Sequence, residues 1–499
     1  MKTKDEIRKD IDAVDGEIAR LLQKRFALTD EIGKLKGNCG QSVTDASREK
    51  VVTNRLKNIL AENTGSALDC EKEVLSIYKK IFSLSKNRQR IFSKKFALVG
   101  GNLSHSYSKP LHELFGYKYE LLETDEKNFE NVLRSDEFDG FNVTVPFKRL
   151  AASVCDSLDE IASLTGTVNT VKKINGKLYG YNTDFFGMKY ALEKAGIEIK
   201  GRNVLILGTG GTAHTAKILC EKLGAKSVEF VGRKSEINYS NCYERQQTQV
   251  IINATPVGMY PDCDGEPIDV KRFLNLESVF DAVYNPYKTK LVLSAKKVGK
   301  KAVGGLEMLV AQAVGSAEIF LGRKISHDKI NMFSSSLKLK NLNIFFAGMP
   351  GAGKSTLAKD FSEKVCLKFF DTDLEFEKKH GVSPAEFIEN FGEKKFREEE
   401  KDVLFDILKN QQNVCIALGG GSISDDEIAF ELCKKSIVVI VERDINKLSM
   451  EGRPLSSSTG DIAELYKKRM PIFRETGDLF IDNNGSVEEA TGRLLEAFE

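Results

Sequence analysis

The 499-residue chain has no charge excess, no closely spaced cysteine pair and no long apolar run. Lys and Arg total 74 against 72 Asp and Glu, for a net charge of +2. There is therefore no overall electrostatic footprint for nucleic acid or a membrane surface, and no stripe of basic and aromatic residues supplies a local one. Small molecules are the expected partners. No stretch reaches the ~18 apolar residues that a membrane span needs, and the opening "MKTKDEIRKD" lacks the apolar core of a signal peptide. The nine cysteines are odd in number, dispersed and never spaced C-x-x-C, and no His and Cys group has a zinc pattern. Reduced thiols and a cytoplasmic location are expected. No low-complexity tract interrupts a composition of 41% apolar and 29% charged residues, which excludes a largely disordered chain.

At roughly 100–200 residues per domain, the length predicts about three domains. Residues 1 to about 90 hold no proline and read at helical period, whereas from "KKFALVG" onward short buried runs such as "NVLILG" and "QVIINA" alternate with helical stretches. The polar stretch "NMFSSSLKLKN" (331–341) then precedes a fresh strand, "LNIFFAG". Boundaries are expected near 92 and 337. The predicted fold is multidomain: an all-helical module over 1–91, a two-part α/β unit over 95–330, and an α/β P-loop unit over 341–499. The middle unit divides into a substrate part at about 95–195, a Rossmann-type dinucleotide part at about 196–300, and returning helices to 330.

In the first predicted helix Ile7, Ile11, Val14, Ile18, Leu21, Leu28, Ile32 and Leu35 recur at spacings of 4 and 3, a seam to be buried against partner helices. Arg25 takes the missing seam position, where a guanidinium is costly unless something anionic meets it. For that residue alone, a structural pairing with a carboxylate or with water is the plainer reading. The set Arg8, Arg25, Lys36, then Asp45, Arg48 and Glu49 in "TDASREK", then Ser85 and Gln89 in "SLSKNRQ" resembles the all-helical chorismate mutase family over residues 4–90. The resemblance implies that Arg8, Arg25 and Arg48 bind the two carboxylates of chorismate and that Lys36 and Gln89 hydrogen-bond its ether oxygen. It also implies that Glu49 contacts the ring hydroxyl, with Asp45 and Ser85 beside the substrate. Rearrangement to prephenate needs no nucleophile and no proton transfer, only a folded dianion and cations where charge develops on the ether oxygen. At 1.5 Å per residue Arg8 and Arg25 lie roughly 25 Å apart on a continuous helix, too far to share one chorismate. The resemblance implies an intertwined homodimer in which Arg8 serves the other chain's site.

"NVLILGTGGTAHTA" sets Gly208, Gly210 and Gly211 after a buried strand and at the opening of a helix, where backbone amides can hold a pyrophosphate; a merely tight turn is the alternative. The next strand ends in Gly232, Arg233 and Lys234, where an NAD site would carry an acidic residue for the ribose. NADP(H) is therefore expected, with Arg233 as the main contact of its 2′-phosphate. Around this loop "GGNLSHSYSKPLHE", "DGFNVTVPFKRLA", "GTVNTV", "GYNTDFFG", "INATPVGM", "DAVYNP" and "GGLEMLVAQA" together resemble shikimate dehydrogenase over about residues 95–325. The resemblance implies Ser106 and Ser108 on the shikimate carboxylate, and Thr144, Asn169, Thr183 and Gln312 around the ring with Tyr284 nearby. It makes Lys148 and Asp184 the catalytic pair. Reducing a ketone requires hydride from NADPH and a proton on the oxygen as it becomes an alkoxide; Lys148 can donate that proton and Asp184 can orient it. Two departures are visible. Lys109 follows Ser108 where the family has proline, and only about fifteen residues separate "GRKS" from "QVIINATP", which predicts a cofactor part trimmed on its adenine side.

"FFAGMPGAGKSTLAKDF" fits G-x-x-x-x-G-K-[ST] between a strand and a helix. Gly348, Gly351, Gly353 and Thr356 shape a cradle for ATP phosphates, Lys354 reaches the transferring group, and Ser355 ligates Mg²⁺. With "DTDLEFEKKHG", "FIENFGEKKFREEE", "ALGGG", "GRPL" and "YKKRMPIFRE", residues 341–499 resemble shikimate kinase. The resemblance implies Asp371 near the Mg²⁺, Asp373 on the acceptor hydroxyl, Gly419, Gly420 and Gly421 under the ring, and Arg397 and Arg469 on the carboxylate. Arg453 would sit on a lid that meets the phosphates. The expected protein is thus a trifunctional enzyme using chorismate, 3-dehydroshikimate and shikimate as substrates. Two alternatives stay open: a helical module that only dimerises or regulates, and a quinate-type dehydrogenase using NAD. The seam cations speak against the first and Arg233 against the second.

Overall fold

A computed structural model describes residues 2–39, 43–62, 70–104, 106–419, 421–422, 432–448 and 459–498. The chain folds as two compact units, one comprising Met1–Ser157, Thr170–Gly180 and Ile319–Arg323, the other Leu158–Asn169, Tyr181–Glu318 and Lys324–Glu499.

The first unit opens with three helices, α1 (Lys4–Asn38), α2 (Ala46–Glu62) and α3 (Glu71–Ile91). Helix α1 starts on a capping box, in which Thr3 and Glu6 satisfy each other's backbone N–H, and carries Asp5 and Glu6 in its first turn, where the helix dipole favours them. It runs unbroken past both Arg8 and Arg25. Close approach is secured by small residues: a Cβ on Gly33 would lie 2.6 Å from the Phe92 ring, and one on Gly37 would lie 2.5 Å from the Phe92 carbonyl oxygen. Burial on α1 falls on Thr29 and Gly33, not on the seam read from the sequence. The eight seam side chains are 47–67% exposed, because α3 packs against a different face of α1.

Six strands follow, β1 (Lys95–Gly100), β2 (Lys118–Glu123), β3 (Gly140–Val143), β4 (Ser157–Leu158), β5 (Thr170–Ile174) and β6 (Lys177–Tyr181). They form one sheet in the order β2-β1-β3-β5-β6-β4. β1 pairs in parallel with β2 and β3, whereas β3 and β5 are antiparallel. Five of the six β1 residues, Phe96 to Gly100, are buried, and the Phe96 ring stacks on Phe320 with centroids 4.2 Å apart.

The second unit holds two parallel sheets. β7 (Asn203–Leu207), β8 (Ser227–Val231), β9 (Val250–Asn253), β10 (Ser278–Asp281) and β11 (Lys301–Val303) lie in the order β11-β10-β9-β7-β8. β12 (Asn343–Gly348), β13 (Lys368–Asp371), β14 (Val414–Ala417), β15 (Ser436–Glu442) and β16 (Leu479–Asp482) lie in the order β13-β14-β12-β15-β16. In each sheet the first strand in sequence sits where the strand order reverses, which is where open α/β sheets bind ligands at the strands' carboxyl ends. β8 is an edge strand, and between it and β9 the chain forms only a short 3₁₀ turn, Cys242–Glu244, as a trimmed adenine side requires. The polar stretch 331–341, which spans the boundary expected near 337, lies in the helix Asp328–Asn341, whose Ile330, Phe333 and Leu337 are buried at helical spacing. No described helix is long and apolar enough to cross a membrane.

Candidate active sites

In the helical module Arg25 Nη1 donates to Ser85 Oγ at 2.6 Å, and its guanidinium lies 5.8 Å from the Phe82 ring centre. Among the described residues the partner of Arg25 is this hydroxyl and not a carboxylate. One turn beyond Ser85, Gln89 Oε1 is buried with no partner among the described residues, an amide with an unmet hydrogen bond facing the same region. Glu49 pairs with Lys86 at 3.1 Å, and Lys36 Nζ donates to the Val43 carbonyl at 3.3 Å. Asp45 accepts from Arg48 N at 2.8 Å and Ser47 Oγ at 2.7 Å. These bonds hold its carboxyl below the usual range and tie it to the start of α2. Arg48 is exposed; Arg8, also exposed, lies about one turn from the start of α1, 3.5 Å from Asp5. The structure therefore joins Arg25 to Ser85 and leaves Arg8 apart. The Arg88–Asp30 pair, 2.8 Å from Nε to Oδ1, locks α3 to α1 and was not legible in the motif.

The predicted dehydrogenase residues fall in both units. In the first, Ser108 opens the helix Ser108–Glu113, is buried, and its N–H donates to Ser106 Oγ at 3.2 Å. Thr144 follows β3, and a Cβ on Gly100 would lie 2.5 Å from its Cγ2, so these strand exits abut through glycine. Lys148 opens the helix Lys148–Val154 and is half-buried. His112, on the same helix as Ser108, stacks on Tyr119 at 4.2 Å, and burial pushes its ring down to about 3, leaving it neutral. In the second unit Asn169 is a hub. Its Nδ2 donates to Asp184 Oδ1 at 2.9 Å, Thr183 Oγ1 at 3.0 Å and Gln312 Oε1 at 3.4 Å, while its Oδ1 accepts from Thr183 N at 2.7 Å. All four residues are buried, so the network fixes each side chain through the others. Ser316 extends it, 3.0 Å from Thr183 Oγ1; its position one helical turn after Gln312 was the available signal. Tyr284 follows β10 and is half-buried.

The residues at both glycine loops fit phosphate ligands. Gly208, at φ +103°, turns the chain out of β7, and a Cβ there would lie 3.1 Å from Thr255. Above Gly210 there is open space within 4 Å, and the helix Gly211–Lys222 begins with no side-chain cap. The helix Lys354–Lys364 likewise begins uncapped on Gly353, at φ +89°. Elsewhere in this unit Asp159, Thr289, Asp371 and Ser383 do close helix starts. The two loops thus keep first-turn N–H groups for an outside acceptor. Arg233 is exposed just past β8. Lys354 Nζ folds back to the carbonyls of Gly348 at 3.3 Å and Met349 at 3.2 Å, with Gly351 at φ +79° between them, and Ser355 and Thr356 are exposed on the first turn.

Beyond this loop Asp371 Oδ1 accepts from Asp373 N at 3.0 Å and Leu374 N at 3.3 Å, so it caps the helix that presents Asp373. A Cβ on Gly419 would collide with Glu400 and lie 2.9 Å from Asp373 Oδ1; one on Gly421 would lie 2.5 Å from the Arg397 Cζ. Glycine here lets two acids and a guanidinium crowd one stretch of backbone. Arg397 Nη1 donates to Glu400 at 2.8 Å, and Glu400 accepts from Ser422 Oγ at 2.8 Å. Glu400 was missed in sequence although it stands three residues from Arg397, one helical turn away. Arg469 Nη1 is buried without a partner among the described residues, and burial together with Arg397 brings its guanidinium down to about 10. Two guanidiniums in repulsion, one with a donor unmet among the described residues, could take an anion. Gly420 and Arg453 lie outside the described residues.

Three family models match the chain: chorismate mutase type II over residues 7–90, shikimate dehydrogenase substrate binding domain over 98–171, and shikimate kinase over 350–499. Shikimate dehydrogenase (NADP(+)) of Caldicellulosiruptor bescii is 35% identical over 257 residues, 46% of this chain and 89% of that protein. Its counterpart in Clostridium beijerinckii is 32% identical over 268 residues, 49% of this chain and 99% of that protein. A chorismate mutase/shikimate 5-dehydrogenase fusion protein from Clostridium acetobutylicum, known from its crystal structure, aligns with a TM-score of 0.47 at 31% identity, covering 50% of this chain and 98% of that one.

Proposed function

Because this chain belongs to the shikimate dehydrogenase family through its middle part, with a chorismate mutase type II domain before it and a shikimate kinase domain after it, we propose that it catalyses three specific reactions. These are rearrangement of chorismate to prephenate, NADPH-dependent reduction of 3-dehydroshikimate to shikimate, and ATP- and Mg²⁺-dependent phosphorylation of the 3-hydroxyl of shikimate. The observation that carries the reading is the Arg397–Arg469 receptor beside Asp373. It supplies cations for a carboxylate and a carboxylate for a hydroxyl on one small ring, the chemistry of the middle part's own product.

In the kinase, Arg397 and Arg469 hold the acceptor's carboxylate, Asp373 orients its hydroxyl, and Glu400 keeps Arg397 in place. Lys354 and the uncapped N–H groups after Gly353 bind the phosphates, with Ser355 and Asp371 as the candidate Mg²⁺ contacts; bound ATP supplies the phosphoryl group. In the dehydrogenase, Ser106 and Ser108 bind the carboxylate, while Asn169, Thr183 and Gln312 surround the ring. Lys148 gives the proton while bound NADPH supplies the hydride. In the mutase, Arg25, Arg48 and Arg8 bind the dianion, and Lys36 and Gln89 meet the ether oxygen. The exposed seam of α1 supports a dimer that covers it.

The full chain given 3-dehydroshikimate, NADPH and ATP with Mg²⁺ should consume NADPH and ATP in equal amounts and accumulate a phosphate ester. Asp373→Asn should leave NADPH oxidation intact and stop the sequence at shikimate, with ATP affinity unchanged. Loss of ATP affinity in that variant would show that Asp371 and Asp373 exchange roles, and no phosphate ester from the unaltered chain would sink the kinase reading. Separately, Arg233→Asp should shift preference from NADPH towards NADH by setting a repulsive charge against the 2′-phosphate. An unchanged ratio of kcat/KM for the two cofactors would assign that phosphate to another residue.

A further inference from the structure

Lys288 is only 4% exposed, and an ammonium is buried at high cost unless a counter-charge and hydrogen bonds meet it. Its counter-charge is Asp478, 190 residues along the chain at the entry to β16. Asp478 also pairs with Lys296 at 3.3 Å and accepts from Val438 N at 2.9 Å, the latter bond lying within the kinase part. Burial works against both charges, yet each holds the other: the Asp478 carboxyl stays below and the Lys288 ammonium above the usual range. More links surround the pair. Lys288 N donates to the Lys434 carbonyl at 3.1 Å, Lys434 Nζ donates to Asp264 at 2.6 Å, and Lys435 Nζ stands 4.4 Å from the centre of the Tyr260 ring. Tyr287 and Leu293 pack against the kinase core.

The segment that Lys288 belongs to carries Tyr284. It leaves β10 at Asp281 and returns at Thr289, and both Val283 N at 3.0 Å and Thr289 Oγ1 at 2.6 Å donate to Asp281. Burial pushes the Asp281 carboxyl up to about 7 against these bonds. On the way, the Asn285 carbonyl accepts from Tyr260 N at 2.9 Å. The segment is thus a closed turn tied at its base, with its outer edge at 287–288 fastened to the kinase part. We infer that the kinase part, through Asp478, holds this turn and so positions Tyr284 for the dehydrogenase. Asp478 is then a positioning residue for a reaction in which its own domain takes no part. The inference rests on the reading of Tyr284 as a substrate-side residue.

The test compares four variants of the full chain, with a fifth as a control, and dehydrogenase and kinase constants are measured on each. Lys288→Met removes one link while Asp478 keeps Lys296 and Val438 N, so the kinase part retains its internal bonds. Its dehydrogenase KM for shikimate should rise about tenfold with kinase kcat unchanged, a fraction of the about 10²-fold that a 1 Å misplacement can cost. Asp478→Asn should raise the same KM, and the double variant should add nothing further, since both changes cut one connection. Tyr284→Phe tests the underlying reading by itself: if it leaves the dehydrogenase constants untouched, that reading fails. If it raises KM while Lys288→Met and Asp478→Asn do not, the positioning role is overturned. Should Lys288→Met slow the kinase as well, Lys288→Arg, which keeps the charge, must restore both activities; failure to do so also overturns it.

Discussion

Lys148→Ala is expected to lower dehydrogenase turnover by about 10²–10⁴-fold, the usual contribution of a positioned general acid, while NADPH binding and both other activities stay as they were. On the proposed assignment Lys148 acts on the oxygen that becomes an alkoxide and makes no contact with the nucleotide. Its loss should therefore appear in kcat and kcat/KM together, as for an interaction made only in the transition state. Asp184 provides a companion. It is buried, receives a hydrogen bond from Asn169 and opens the helix Asp184–Lys194, so its position is set by its neighbours and not by the substrate. Asp184→Asn should lower kcat with little change in the far-UV spectrum or melting temperature. Near-normal kcat in Lys148→Ala would remove that residue from the mechanism.

Mixing an Arg8→Ala chain with an Arg25→Ala chain, each inactive as a mutase alone, is expected to restore mutase activity. Helix α1 runs without interruption from Lys4 to Asn38, which puts the two arginines roughly 25 Å apart. Arg25 is held by Ser85 inside its own chain, whereas Arg8 is exposed and lies 3.5 Å from Asp5 on its own helix. A complete site would borrow Arg8 from a second chain, and each mixed dimer would hold one site with both defects and one with neither. With random exchange, half the dimers are mixed and each has one good site of two, so the mixture should approach about a quarter of the unaltered rate. Kinase and dehydrogenase rates should not move. A mixture that stays inactive after subunit exchange is demonstrated directly would place the whole mutase site within one chain.

What could be read in advance divides along physical lines. Glycine loops were legible because positive φ and close approach admit few other residues, as at Gly208 and Gly353. The Asn169, Thr183 and Gln312 set was legible only through the resemblance, since the polar hub is assembled from segments 14 and 143 residues apart. The seam of α1 was legible as an apolar face but is left exposed within this chain, because periodicity marks such a face without naming its partner. The stretch 331–341 reads as polar, since its serines and lysines outnumber its apolar residues. Its helix is fixed by Ile330, Phe333 and Leu337, whose tertiary burial overrides that composition. Glu400 and Asp478 escaped notice because an acidic residue on a charged helix or at a strand entry looks like ordinary solvated surface until its partner is known.

The stacking of Phe96 on Phe320 also bears on how a ribosome makes this protein. The sheet that begins at Lys95 is completed only by strands that end at Tyr181, and one of its core rings arrives from Ile319–Arg323. Phe320 emerges about 220 residues after Phe96, which at about 5–20 residues per second is on the order of 10–45 s of translation. Throughout that interval the nascent β1 region must wait with an apolar surface unsealed. The first sheet of the middle part therefore stays unsealed until translation has come within about thirty residues of the shikimate kinase match, although that part starts to emerge long before.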